Sequence, residues 1–468
     1  MTNIVRKLKK WNVLLLCNKH SQLNHHKCTV YTPSYKRTVD DVEEKQPVHK
    51  FIGKHRKRVS RIHVCGLTVT GALGVLKLPL PENKLRIPPK FQQNYPYHLI
   101  IDDISHIACG YGFSILASKL KDQIKVWGCG INTNSQIGFH KSRKTKIKKG
   151  ETHTKSYQYL MEPTPIPLPF KDAGKTRVID VACGRAHSLI LTDKEGIFAM
   201  GNNAFGQCGR QIIEGEVYES SAKVHRIPHE RFPSPVVKVV CGMDHSLFLT
   251  QTGELFSCGW SADGQTGLGI AEPVPEPTQL RGDLDGVKIT QVSSFADTSL
   301  ALSDTNDIFG WGSSEYGQLA CVTESTQAML PTKLPFDRQK KIIQVAAGGT
   351  ACLLLNESGD VWVWGYGILG KGPNLENAVW PRRIPRTLFG FSQFKPDIHV
   401  KQIKCGLGSF SAITNTGELY TWGKNKSGCL GIGSARDQYF PWKVLTGFEV
   451  VDVSCGVDHM VVKSKSLL

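Results

Sequence analysis

No apolar stretch of about 18 residues runs through the 468-residue chain, so no membrane-spanning helix is predicted. The first 39 residues hold no Asp or Glu, against eight Lys or Arg. Their apolar segment, Val13 to Cys17, is too short for the core of a secretory signal. Without an export signal, the 14 cysteines are expected as reduced thiols rather than a disulfide framework. With 45 Gly and 24 Pro, many turns are expected and long helices are not.

What is present is positive charge, unevenly placed. The net charge is +18; residues 1–60 carry +10 of it and residues 141–155 carry +6. A nearly neutral body therefore bears two basic attachments. In the first, Leu8, Trp11, Leu14 and Leu15 can share one face of a basic helix, the composition of a mitochondrial presequence. A disordered basic arm is the alternative. The sequence divides into a targeting leader at 1–40, a linker at 41–57 and a repetitive body at 58–465, with a basic insertion at about 131–163.

The body repeats. "VACGRAHSLILTDKEGIFAMGNNAFGQCG" from Val181, "VVCGMDHSLFLTQTGELFSCGWSADGQTGLG" from Val239 and "IKCGLGSFSAITNTGELYTWGKNKSGCLGIG" from Ile403 share one pattern. An apolar strand runs into Cys-Gly, a second strand follows, and a tight turn leads to a third strand ending on glycine. That strand-ending glycine is read at Gly66, Gly128, Gly201, Gly259, Gly312, Gly365 and Gly423, spaced by 53 to 73 residues. The Cys-Gly glycine is read at Gly110, Gly184, Gly242, Gly348, Gly406 and Gly456, with Ser294 standing in between Gly242 and Gly348. Seven copies of several short strands predict an all-β, seven-bladed β-propeller. The chain enters on the second half of a unit (61–74) and leaves on the first half of one (450–465), so the two termini are expected to share a blade and close the ring.

"CGRAHS" (183–188) looks like half a zinc site or a thiol nucleophile with its base. The cysteine, however, recurs in phase at Cys109, Cys183, Cys241, Cys405 and Cys455, and the histidine at His187, His245 and His459. Phe113, Asp297, Ala351 and Ser409 are read at the other histidine positions. Copies one blade apart diverge around a ring and cannot converge on one metal. A buried thiol beside a histidine that bonds neighbouring backbone is the expected role. "GYGILGKG" (365–372) has the spacing of a phosphate loop, but prolines at 373, 381 and 385 follow instead of a helix, and a turn is expected. With every candidate repeat-phased, no unique nucleophile–base pair remains, and neither an enzyme, a metal nor a cofactor is expected.

These blocks resemble the regulator of chromosome condensation repeat family over about residues 58–465. "CGRAHSLILTDKEGIFAMGNNAFGQCGR", "CGWSADGQTGLG", "WGYGILGKGPNL" and "DQYFPWKV" are most similar to its mitochondrial branch, with which the acid-free leader agrees. The resemblance implies a non-catalytic propeller in the matrix or on the matrix side of the inner membrane. It implies guanine-nucleotide exchange on the inner-membrane fusion GTPase, a role in maturation of the large mitochondrial ribosomal subunit and its RNA, or both. An RNA and ribosome-assembly adaptor without exchange activity is the alternative. Peripheral inner-membrane association and a monomer are the accompanying expectations.

Two features stand outside the repeat. The insertion carries Lys141, Arg143, Lys144, Lys146, Lys148 and Lys149, with Tyr157 and Tyr159 downstream. Such a cluster can neutralise phosphates, and the tyrosines can stack on unpaired bases; a solvated loop is the bland alternative. "KHRKR" (54–58) is a weaker basic cluster in the linker. The founding family member exchanges nucleotide with a wedge inserted in one blade. Residues 131–170 and the long loop within 210–233 are the two candidates for it here.

Overall fold

Apolar runs of five or six residues, separated by turns too short for a crossover, can pair only as antiparallel neighbours. The computed structural model describes residues 60–75, 92–118, 126–142, 155–336 and 341–465. In it the repeats form seven four-stranded antiparallel sheets, the blades of a β-propeller. The leader, the linker and the KHRKR cluster lie outside the described residues.

Blade 1 is the closing blade. Its two inner strands, Glu449–Cys455 and His459–Lys465, come from the C-terminal end; Ser60–Leu67 and Gln92–Asp102 complete it from the N-terminal end. Ser60 pairs with Lys465 and Gly66 with His459. Blades 2 to 7 follow in chain order at 104–165, 178–227, 236–279, 289–333, 342–384 and 400–443. In each, the second strand from the axis, such as His187–Thr192 or Ala351–Asn356, is buried at every position. A strand covered on both faces reads as a largely apolar run, and its buried polar members, such as His187, Ser188 and Thr192, are hydrogen-bonded.

The strand-ending glycines have a steric cause. Gly66, Gly201, Gly259, Gly312, Gly365 and Gly423 adopt φ between +94° and +120°, a region that L-residues avoid. A Cβ on Gly259 would lie 2.5 Å from the Asp244 carbonyl oxygen. In blade 2 this role falls to Gly130, with φ +112° and paired with Phe113, and not to Gly128. Gly128 sits two residues earlier and makes room for Ile137, whose Cγ2 would be 1.9 Å from an added Cβ. Blade 5 also shifts by one: Ser294 occupies the cysteine position, Phe295 the Cys-Gly glycine position, and Thr298, not Asp297, the histidine position.

The thiols and imidazoles hold blade to blade. Cys109 donates to the Ser454 carbonyl (3.3 Å), Cys183 to Ala108 (3.7 Å) and Cys405 to Ala346 (3.4 Å), each on the preceding blade. Burial pushes the Cys183, Cys241 and Cys405 thiols up, so they remain protonated. All twelve cysteines among the described residues are free. The histidines bond serine hydroxyls of the next blade rather than nearby backbone: His187 Nε2 lies 3.0 Å from Ser246 Oγ, and His459 Nε2 lies 2.9 Å from Ser114 Oγ. Each serine donates its own proton to a carbonyl, Ser246 to Gln207 and Ser114 to Ala72. The imidazole Nε2 must therefore be the donor. Each ring lies over its own Cys-Gly glycine; an added Cβ would approach His245 Cε1 to 1.9 Å at Gly242.

The outer strands are bulged. In blades 1, 2, 4, 5, 6 and 7 the register against the third strand slips just before a proline: Pro96, Pro163, Pro277, Pro331, Pro381 and Pro441. Proline supplies no ladder donor, and a bulge twists the strand, so these edges resist pairing with another chain.

Candidate partner-binding face

Antiparallel order places the loops after the first and third strands of every blade on one face. Backbone bonds join them there: Asn202 N–H donates to Ala186 O and Trp260 N–H to Asp244 O, both at 2.8 Å. Where these loops depart from the repeat, they build a site.

At the axis, Tyr111 of blade 2 stacks on Phe295 of blade 5, with ring centroids 5.9 Å apart. Phe295 is also in the lining of the central cavity of about 510 Å³, between the inner strands. The aromatic pair therefore stands at one end of the channel. The Tyr111 hydroxyl is buried with no hydrogen-bond partner among the described residues. Burial raises its pKa, and Asp297 and Asp244 raise it further.

Around this pair lies a polar arc. Arg185 spans from blade 3 to Asp244 of blade 4 with two contacts, Nε–Oδ1 at 3.2 Å and Nη2–Oδ2 at 2.5 Å. This bidentate geometry fixes both side chains. Burial holds the Asp244 carboxyl above the usual range, although Arg185 opposes it. Asp297 rises to about 6, chiefly through burial, with Asp244 and Asp263 adding and the Gln265 hydrogen bond opposing. Gln265 Nε2 reaches Asp297 at 3.3 Å and Asp263 at 3.0 Å. Just beyond, Phe205 and Trp260 pair at 4.6 Å.

The second part of the site is the long loop after Ile197–Gly201. Arg210 grips Glu216 with both carboxylate oxygens at 2.8 and 2.7 Å, and Lys223 adds a contact at 3.1 Å. The Arg210 and Glu216 side chains are 10% and 12% exposed. The clamp closes a turn at Gly215 (φ +71°) whose apolar residues Ile212, Ile213 and Val217 face solvent. Val217 is 73% exposed. A stiff turn that presents neighbouring apolar side chains to solvent is a candidate contact surface.

This loop braces the base of the basic insertion. Ser135 Oγ bonds Tyr218 O (2.9 Å), Ser220 Oγ accepts from Ser156 N (2.8 Å), and Gln158 Nε2 donates to Glu219 (2.8 Å). Lys141 pairs with Ser156 as an isolated antiparallel bridge, so the described residues on either side of the insertion lie next to each other. Lys141 is exposed; Arg143, Lys144, Lys146, Lys148 and Lys149 lie outside the described residues. Tyr157 packs half-buried against the apolar core between blades 2 and 3, whereas Tyr159 is exposed. The two wedge candidates from the sequence are thus neighbours on one face. In "GYGILGKG", Gly370 lies against the Trp422 indole and Lys371 Nζ caps the Arg383 carbonyl at 2.8 Å, so the segment is a packed turn.

The sequence reading missed Tyr111 and Phe295, and took Asp297 only as the residue at a histidine position. Their signal was negative: an aromatic after the Cys-Gly glycine, and an aromatic in place of that glycine, occur in one blade each.

The family model described as an RCC1-like domain matches residues 17–392 and 232–466. The mouse RCC1-like G exchanging factor-like protein is 53% identical over 440 residues, covering 92% of this chain and 93% of that one. Its human counterpart is 52% identical over 428 residues, covering 90% of each. The crystal structure of human WBSCR16 superposes with a TM-score of 0.81 at 52% identity, covering 88% of this chain and 100% of that one. Yeast RCC1 (Prp20), solved bound to Kap60, has a TM-score of 0.69 at 18% identity, covering 93% and 97%, and supports the fold alone.

Proposed function

The chain belongs to the RCC1-like family, and on that footing we propose that it promotes guanine-nucleotide exchange on a mitochondrial GTPase of the fusion, dynamin-like class. The name of the mouse and human relatives, G exchanging factor-like, supports the activity; the acid-free leader supports the compartment. Exchange makes and breaks no covalent bond. A factor that binds the nucleotide-free GTPase more tightly than the loaded one lowers nucleotide affinity by the same ratio. The chain therefore needs a rigid surface and no nucleophile. The observation that carries this reading is the clamped, apolar turn at 212–217, on the loop face that also bears the Tyr111–Asp297–Arg185–Asp244 cluster at the axis. The turn meets the GTPase, and the cluster adds a rigid polar surface at the axis. In this reading the protein acts as a monomer on the matrix side of the inner membrane.

The test is release of labelled GDP from a recombinant mitochondrial fusion GTPase. Wild-type protein at micromolar concentration is expected to accelerate it. Ile213→Asp with Val217→Asp is expected to lower the accelerated rate about tenfold, in line with the loss of a central apolar contact, with an unchanged melting temperature. No acceleration by wild type would overturn the proposal.

The charge of the insertion favours a second reading, ribosomal RNA or an assembly complex held by Lys141, Arg143, Lys144, Lys146, Lys148 and Lys149. Purification from mitochondria with and without RNase separates the two, because only the RNA-held partners leave.

A further inference from the structure

The repeat supplies its own internal control at the outer strands. The residue after the bulge proline is Thr164 in blade 2, Thr278 in blade 4 and Thr332 in blade 5. Each hydroxyl bonds back to the carbonyl two residues earlier: Thr164 to Glu162 (2.9 Å), Thr278 to Glu276 (3.0 Å) and Thr332 to Leu330 (3.1 Å). This closes the bulge locally. Blades 6 and 7 abandon the threonine. Arg382 and Trp442 stand in its place, with the equivalent pairing to the third strand, Arg382 opposite Val363 and Trp442 opposite Thr421. The fold therefore does not require either residue.

Their neighbours depart in the same direction. In blades 2 and 4 the residue before the proline is Glu162 or Glu276; in blades 6 and 7 it is Trp380 or Phe440. Trp380, Tyr439, Phe440 and Trp442 are 48%, 39%, 43% and 55% exposed. Asn377–Ile384 and Gln438–Lys443 contain no acid, and Arg382, Arg383 and Lys443 are exposed on them. One loop touches both strands: Lys371 caps Arg383 O (2.8 Å), while the next residue, Gly372, donates to Tyr439 O (3.1 Å) and lies against the Phe440 ring.

We propose that this outer wall of blades 6 and 7 is a binding site for an unpaired nucleic-acid strand, with Trp380, Phe440 and Trp442 stacking on bases and Arg382 and Arg383 meeting phosphates. The partner class follows from the chemistry. Flat aromatic faces alternating with cations suit a strand that is both planar and polyanionic; within the fold Arg383 also faces Asp360 (3.7 Å) and Lys443 faces Glu418 (2.5 Å), carboxylates with which phosphates compete. The bulges and prolines bar an extended peptide from adding to the edge, the mode an open strand otherwise offers. The proposal rests on the RNA reading above only for the partner's class; it adds a second stacking surface to the phosphate contacts and the exposed Tyr159 of the insertion.

The test is fluorescence anisotropy of a labelled oligouridylate of about 12 nucleotides, long enough to cross one such surface. The variant is Arg382→Thr with Trp442→Thr, which installs the residue that three other blades carry at this position and should fold. It is expected to weaken binding about tenfold or more, the usual scale for a lost stacking platform with its cation. A second variant, neutral at the six basic residues of 141–149, is expected to keep the wall's contacts and lose part of the salt dependence. Wild type that does not bind sinks the RNA reading and this inference together. Wild type that binds, with the threonine variant binding as tightly, sinks this inference alone. Co-sedimentation with anionic vesicles that the threonine variant loses, at unchanged oligonucleotide affinity, would assign the wall to a membrane and also overturn it.

Discussion

The histidines show how a single side chain can be read as chemistry and prove to be joinery. His187 and His245 are driven down to about 3, in both by burial first and in His187 also by His245 and Arg185. His459 has the opposite sign. Burial opposes its charge, but the Cys109 sulfur and the Asp458 carboxylate, 3.2 Å from Nδ1, outweigh it and raise the pKa to about 10. These signs fix the pH response. For His187 and His245 the unfolded chain binds the extra proton between about 3 and 6.5, so their stability is present above 6.5 and lost as pH falls below it. For His459 the stability is full below 6.5 and lost as pH rises towards 10. His245→Gln is expected to be destabilising at pH 7.5 and to flatten the acid limb by up to about 1.4 kcal/mol per pH unit. Denaturant midpoints measured from pH 7.5 to 5 check this; parallel curves for the two proteins would contradict it.

At the scale of elements, the seven blades and the shared closing blade were legible because the apolar strands and strand-ending glycines recur at fixed intervals. The misreadings have local causes. "VWGCGI" offers two glycines; Trp-Gly matched the third-strand ending of blades 5, 6 and 7, yet only Gly130 takes the positive φ. Blade 5 lacks Cys-Gly, so nothing in its sequence marked the offset between Ser294 and Phe295. The outer-strand prolines were visible, but their meaning depends on a register slip that pairing alone reveals. The clamp at 210–224 was invisible for the same kind of reason, since Arg210 and Glu216 look like any two surface charges until the turn brings them together. Glu216→Ala leaves Arg210 nearly buried without its partner, an arrangement that is strongly destabilising where it occurs. Because the loop lies outside the blade cores, the cost is expected to fall locally: faster cleavage within 210–224 in limited proteolysis and slower exchange catalysis, with a melting temperature close to wild type. A fall in melting temperature with the loop still resistant would mean that the clamp serves the blade instead.

For the molecule as a whole, the repeat makes a nearly uniform ring, and what is specific to this chain collects where the repeat is broken: the Tyr111–Phe295 pair at the axis, the braced insertion and loop, and the aromatic wall. All of them depend on ring closure, which is made late in the chain. Removing residues 447–468 deletes both inner strands of blade 1 and strips the inner edge of Ser60–Leu67. Blade 2 loses four ties at once: the Ser454 hydroxyl that accepts from Cys109 N (2.9 Å), the Ser454 carbonyl that accepts from the Cys109 thiol (3.3 Å), the His459–Ser114 bond, and Lys463 Nζ on Ser105 O (2.5 Å). Blade 7 loses the apolar cover of Val450, Val453 and Cys455 over Ile413 and Leu419. A bare edge and two uncovered cores cannot be offset locally, because every other blade already has its neighbours. The truncated chain is expected to lose its single cooperative thermal transition and to bind a hydrophobic dye. A synthetic peptide of residues 447–468 added in trans is expected to restore part of the transition, since the missing strands carry the whole closing interface. Full retention of the wild-type melt by the truncated chain would show that the ring is held by the remaining six blades and that the closing strands serve another purpose.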